Sequence, residues 1–170
     1  MARRALIPAT LAASVDTLRL SPGILSGDHV FITGMTGSRP DGSMPTGIEA
    51  QTHNAMRKVG AVLAEAGLGF DAIVEMTTYH VGLRDHIDRF DAVRCAYLSA
   101  PFPAWTAVEV AGLRRDGALV EIRVIAAADG AKGQVDGTAA RPPRRANDLP
   151  PKMPGKTKAA PSVIVQIPNG

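Results

Sequence analysis

The chain has 170 residues, 45% hydrophobic but only 4% aromatic, which suits one principal domain with an aliphatic core. Its charge of +3 is uneven: residues 1–128 carry 12 Lys and Arg against 13 Asp and Glu, a net −1, and residues 129–170 carry 7 against 3, a net +4. That split argues against a nucleic-acid surface on the core, and the single cysteine, Cys95, rules out an intrachain disulfide.

Arg3 and Arg4 precede only short apolar patches, so no signal peptide is expected, and no stretch approaches the 18 apolar residues of a membrane span. A reducing, cytoplasmic setting fits the lone thiol, which reads as a small core or surface residue rather than a nucleophile. Thr17–Leu25 and the apolar run His29–Thr33 read as paired strands joined at Gly27-Asp28, with Gly34 ending the second. Gly37–Pro45 is a loop rich in Gly, Ser, Pro and Asp. Thr46 and Glu49 are spaced as a capping box. Ile48, Ala55, Met56, Val59, Val62, Leu63 and Ala66 then recur at helical spacing up to Gly67. Gly60 lies inside that helix at a cost of about 1 kcal/mol relative to Ala, which close packing on a sheet would explain.

Ile73–Val81 is rich in β-formers. Asp85 is placed to cap a second helix, with Ile87, Phe90, Val93 and Tyr97 or Leu98 on its core side, stopped by Pro101 and Pro103. Strands follow at Trp105–Val110 and Ala118–Ala127, joined by the basic turn Gly112–Gly117. In the last strand Val120, Ile122, Val124 and Ala126 share the face expected under the helices. Leu119, Glu121, Arg123 and Ile125 share the other, which reads as an interface with a polar pocket. The chain thus divides into an N-terminal extension (1–14), one α+β domain (15–128) and a Pro-rich basic tail (129–170) expected to be disordered. Ser162–Ile167, inside the tail, is apolar and reads first as a sticky end of that tail, with strand addition to a sheet edge as the alternative.

Several stretches resemble the Rid family, also called YjgF or L-PSP. They are Ser21-Pro22-Gly23 leading into Gly27–Gly34, Ala64–Gly67 followed by Phe70–Val74, and Pro103-Ala104, Val108-Glu109-Val110, Leu113 and Val120-Glu121-Ile122. The resemblance implies a chorismate-mutase-like fold: a mixed six-stranded sheet with two helices on one face, assembled as a homotrimer around a central barrel. It implies a small-molecule ligand in clefts between subunits, no metal or organic cofactor, and hydrolysis of enamines or imines such as 2-aminoacrylate. One position departs. Where the family has an arginine that grips the substrate carboxylate as a bidentate fork, this chain has Trp105. The position similar to the deaminases' asparagine is Arg94, a cation that would have to reach a ligand from elsewhere.

Glu121 is the candidate acid/base, on the strand the family uses to activate water; it is either raised in pKa at an interface or paired with Arg123 of the same or another subunit. Trp105 is a stacking wall for a planar ligand or interface packing. Gly34 and Ala107 offer backbone groups to the substrate's polar end, or Gly34 serves chain geometry alone. Tyr79 and His80 point to opposite sheet faces, so one is a pocket candidate; a lone His is more often a packed core residue. His29, His53, His80 and His86 lack metal-ligand spacing, and neither a nucleophile elbow nor a phosphate loop is present. Two functions compete: a deaminase-like hydrolase whose substrate depends less on a carboxylate, and a non-catalytic metabolite- or protein-binding trimer.

Overall fold

The computed structural model describes residues 3–128; the expectations for the tail and for Ser162–Ile167 lie outside the described residues. Six strands form one sheet in the order β1-β2-β3-β6-β4-β5. They are β1 (Arg3–Leu6), β2 (Gly23–Ser26), β3 (His29–Thr36), β4 (Ile73–His80), β5 (Ala104–Glu109) and β6 (Val120–Ala127). Every neighbouring pair is antiparallel except β4 and β5, which run parallel. A parallel pair needs a long crossover, and here α3 (Leu83–Cys95) supplies it. The other helices are α2 (Ile48–Ala64) and the short α1 (Ala13–Leu18).

The core forms between the helices and one sheet face. From α2, Ile48, Ala55, Met56, Val59, Val62 and Leu63 are fully buried, at the spacing the sequence shows. They meet Val120, Ile122, Val124 and Ala126 of β6, all at most 1% exposed, so the purely apolar row of the last strand lies under the helices as expected. Gln51 is buried among them without an orphaned group. Its Nε2 donates to the carbonyls of Pro45 and Gly117, both at 2.9 Å, and its Oε1 accepts from the Leu119 amide at 2.7 Å. One side chain thus pins two loops to α2.

Several boundaries differ from expectation. Arg3–Leu6, set outside the domain in the sequence, pairs with β2 as an edge strand. The expected strand over Thr17–Leu25 begins only at Gly23; α1 occupies Ala13–Leu18, and Arg19 turns the chain at φ 52°. The hairpin through Gly27-Asp28 does form, with Ser26 opposite His29. Neither Thr46 nor Asp85 caps a helix: the cap positions are Gly47 (φ 88°) and Gly82 (φ 72°), because both chain entries use positive φ, where a side chain is strained. Gly60 faces Phe70 rather than the sheet, for a Cβ there would lie 2.9 Å from Phe70 Cζ. β3 does not stop at Gly34 but runs on to Thr36, across a register shift between Ile32 and Met35. Among the described residues no helix is long and apolar enough to cross a membrane.

Candidate functional site

Strand alternation on β6 turns Glu121, Arg123 and Ile125 to the sheet face that carries no helix. Register aligns each with same-face neighbours. Glu121 lies between Thr36 of β3 and Tyr79 of β4, and Ile125 between Phe31 and Glu75. Tyr79 in turn lies opposite Val108 of β5. The open face is therefore mixed, with Phe31 and Val108 exposed among polar neighbours. On it Arg123 pairs with Glu75 at 3.6 Å. Within one subunit that pairing leaves Glu121 without an ion pair to Arg123.

Glu121 is half-buried and takes no hydrogen bond or ion pair from the described residues. Burial pushes its carboxyl above the ordinary 4.5. The side chain lies flat over Gly34. A Cβ at that glycine would stand 2.0 Å from Glu121 Oε1 and 2.8 Å from its Cγ, so only glycine leaves the carboxylate its place. Glu121, Gly34 and Tyr79 thus share one face, and Gly34 has a role that neither expectation gave it: its missing side chain is the space the carboxylate fills.

The other candidates lie elsewhere. Trp105 is opposite Met76 in the parallel ladder and so faces the helices. Its Nε1 donates to Thr78 Oγ1 at 3.0 Å, and its ring sits 6.0 Å from that of Phe90. The Arg94 guanidinium covers the indole at 3.7 Å. Within one subunit, then, Trp105 and Glu121 occupy opposite faces and do not line a common wall. Ala107 shares the face of Thr78, beside Trp105. Arg94 is a buried residue whose Nε and Nη2 both donate to Asp91 Oδ1, at 2.9 and 2.5 Å, so its charge is neutralised by a carboxylate one helical turn away.

His80 is a core residue. It is fully buried, bonded through Nε2 to Thr78 Oγ1 at 2.9 Å and packed edge-on against Phe90 at 4.6 Å. Burial, and then the neighbouring His86, hold its pKa down at about 4. It faces away from Glu121, leaving Tyr79 as the pocket candidate of the two. The Cys95 thiol is pushed up by burial and then by Asp91, which makes it a poor nucleophile. Among the described residues no three His, Cys, Asp or Glu side chains group as a metal site. Sequence reasoning missed Thr78 and His86. The signal for Thr78 was its alternation with His80 on β4, a strand that carries a polar residue at two successive inward positions.

The arrangement resembles proteins already described. The family profile for Endoribonuclease L-PSP matches residues 11–128. The RutC family protein YjgH of Escherichia coli (strain K12) is 37% identical over 125 residues, covering 73% of this chain and 94% of that protein. The 2-iminobutanoate/2-iminopropanoate deaminase of Bos taurus is 30% identical over 108 residues, 62% of this chain and 77% of that one. A solved structure of protein YJGH superposes with a TM-score of 0.67 at 34% identity, covering 75% of this chain and 97% of that one.

Proposed function

We propose that this chain, which belongs to the Rid (YjgF, L-PSP) family, hydrolyses imines or enamines, with Glu121 as the acid/base group. The observation that carries this is a half-buried, unpaired carboxyl of raised pKa, seated in a space that only a glycine leaves. A carboxyl of raised pKa takes up and gives back a proton more readily than an ordinary one, as an acid/base group must. An enamine first takes a proton on carbon and becomes an iminium. Glu121 accepts a proton from water as the oxygen bonds to the imine carbon. It then returns the proton to nitrogen, the C–N bond breaks and ammonia leaves, while the freed Glu121 carboxylate takes the hydroxyl proton and passes it to solvent, replacing the one the enamine took from solvent, and the carbonyl forms. Atoms balance as imine plus water giving ketone plus ammonia.

The pocket is closed by other copies of the chain. A sheet face that exposes Phe31 and Val108 around a half-buried carboxylate calls for a cover, and three copies packing these faces inward supply one. β5 is one edge of the sheet, opposite β1. Its Val110 amide donates to His80 O at 2.8 Å, and alternation from there turns the Ala107 backbone outward, to meet the substrate's polar end beside a neighbour's Glu121. Tyr79, on the row of Glu121, supplies a hydroxyl. With Trp105 under α3 and Arg94 committed to Asp91, no bidentate fork awaits a carboxylate, so the substrate is less carboxylate-dependent than 2-iminobutanoate. No metal or organic cofactor enters this chemistry, and the lone free thiol fits the cytoplasm.

Ammonia release from enamines generated in situ tests the proposal. Wild-type protein is expected to accelerate release and Glu121→Gln to abolish the acceleration. Equal rates for the two would overturn the assignment. The Trp105–Arg94–Asp91 stack favours a second reading, a trimer that binds a metabolite without turning it over. Ligand-dependent rises in melting temperature with no ammonia released across the panel would establish it.

A further inference from the structure

A second cavity opens on the other side of α2, and Glu121 is not among the residues that line it. It measures about 700 Å³, within the range of small-molecule sites. Asn54, Arg57, Lys58 and Ala61 recur at i, i+3, i+4 and i+7, a stripe of α2 distinct from the one that faces the core. Against it stand α1 and the loop after β3. The lining includes Arg39, Arg57, Lys58 and Arg115 and no Asp or Glu.

All four cations lack a carboxylate within 4.0 Å among the described residues. Their own partners are neutral. Arg57 reaches Asn54 Oδ1 at 3.3 Å and Arg39 reaches Ser43 Oγ at 3.2 Å. Lys58 Nζ donates to Thr36 O and to Ser38 Oγ, both at 2.9 Å, which leaves one of its three donors for an occupant. Burial, and then the nearby Arg115, pull the Lys58 ammonium down to about 8. Asp41, two residues after Arg39, accepts from the amide and hydroxyl of Ser43, and these bonds, with a smaller contribution from Arg39, hold its carboxyl below the usual range. A chain that gathers four like charges around one space, and partly desolvates one of them, has built an anion site. The opposing wall carries no charge and is mixed, with Leu11, Ala13 and Leu18 beside Thr10, Ser14 and Thr17.

We propose that this cavity binds a phosphorylated small molecule, its phosphoryl group held by Arg57, Lys58 and Arg115 and its less polar body against Leu11 and Leu18. No aromatic residue lines the space, which separates it from sites that stack the bases of single-stranded RNA. The ligand bridges α2 to α1, a helix of six residues with none buried, and so holds α1 in place.

The test uses the full chain and phenyl phosphate as probe, by calorimetry and thermal unfolding. Phenyl phosphate is expected to bind more tightly than inorganic phosphate, to raise the melting temperature, and to weaken as salt rises. Arg57→Gln and Arg115→Gln are each expected to weaken it about tenfold, the loss of one charge-assisted contact. Arg89→Gln, outside the cavity, is expected to change nothing. Arg57 carries the decisive arm because its side chain is exposed and its removal leaves the core intact. Vesicles containing phosphatidic acid that bind with the same Arg57 dependence would support the phosphate site and name a lipid headgroup as its source. Absence of binding at millimolar phenyl phosphate, binding that survives both Arg variants, or preference for a single-stranded oligonucleotide would overturn the proposal.

Discussion

Gly34→Ala offers the sharpest probe of the carboxylate's seat. The added Cβ would stand 2.0 Å from Glu121 Oε1, 2.6 Å from Cδ and 2.8 Å from Cγ. Because the overlap reaches Cγ, rotating the carboxylate cannot relieve it, and the whole side chain must swing off β3. Overpacking of this kind costs about 1–3 kcal/mol. For a domain of this size that is a fall in melting temperature of roughly 4–12 °C, at about 4 °C per kcal/mol. Glu121→Ala alone removes a carboxyl with no partner and should change stability little. In the double variant the obstacle to the new methyl is gone, so the cost of Gly34→Ala should largely vanish. The double-mutant cycle is expected to show a coupling of about 1–3 kcal/mol. Unfolding in urea, followed by fluorescence of the only tryptophan, measures all four proteins. If Gly34→Ala costs the same with and without Glu121, the glycine serves the β3 register shift and the contact with Glu121 carries no weight.

Other expectations follow from the same geometry. Stability should fall as pH drops through the window from 6.5 to about 4, because His80 titrates at about 4 when folded and the unfolded chain takes up that proton first; melting curves of His80→Gln should show a flatter fall. Glu121 acts in the opposite sense: its folded pKa lies above 4.5, so its contribution is fully present below 4.5 and lost as pH rises through the folded value. Glu121→Gln should therefore gain on wild type toward neutral pH, and the acid limb of the kcat/KM profile should lie above pH 4.5. Trp105→Phe should lose about 1 kcal/mol with the bond to Thr78. Arg94→Ala should shift the Trp105 emission to the red as the cover over the indole is removed.

Periodicity made much of this fold legible. The α2 stripe and the alternation of β6 announced themselves, and with β6 came the outward placement of Glu121. What the pattern could not carry is register. Trp105 and Glu121 belong to strands that touch only through β4, and a slip of one residue in the β4–β5 ladder would turn the indole to the other face. Likewise the fit of Glu121 over Gly34 requires the register shift between Ile32 and Met35, which no local residue choice reveals. The helix entries misled for a related reason. Thr46 and Asp85 are good capping residues by type, yet the chain arrives with positive φ at Gly47 and Gly82 instead. α1 was hidden because it buries no side chain and so shows no apolar stripe.

Molar mass in solution bears most directly on whether neighbouring copies wall the Glu121 crevice. Light scattering on the purified chain at micromolar concentration should return about three times 17.8 kDa, insensitive to moderate dilution. A stable particle of single-subunit mass would leave Phe31, Val108 and Glu121 facing water, and a hydrolytic site between subunits could not exist.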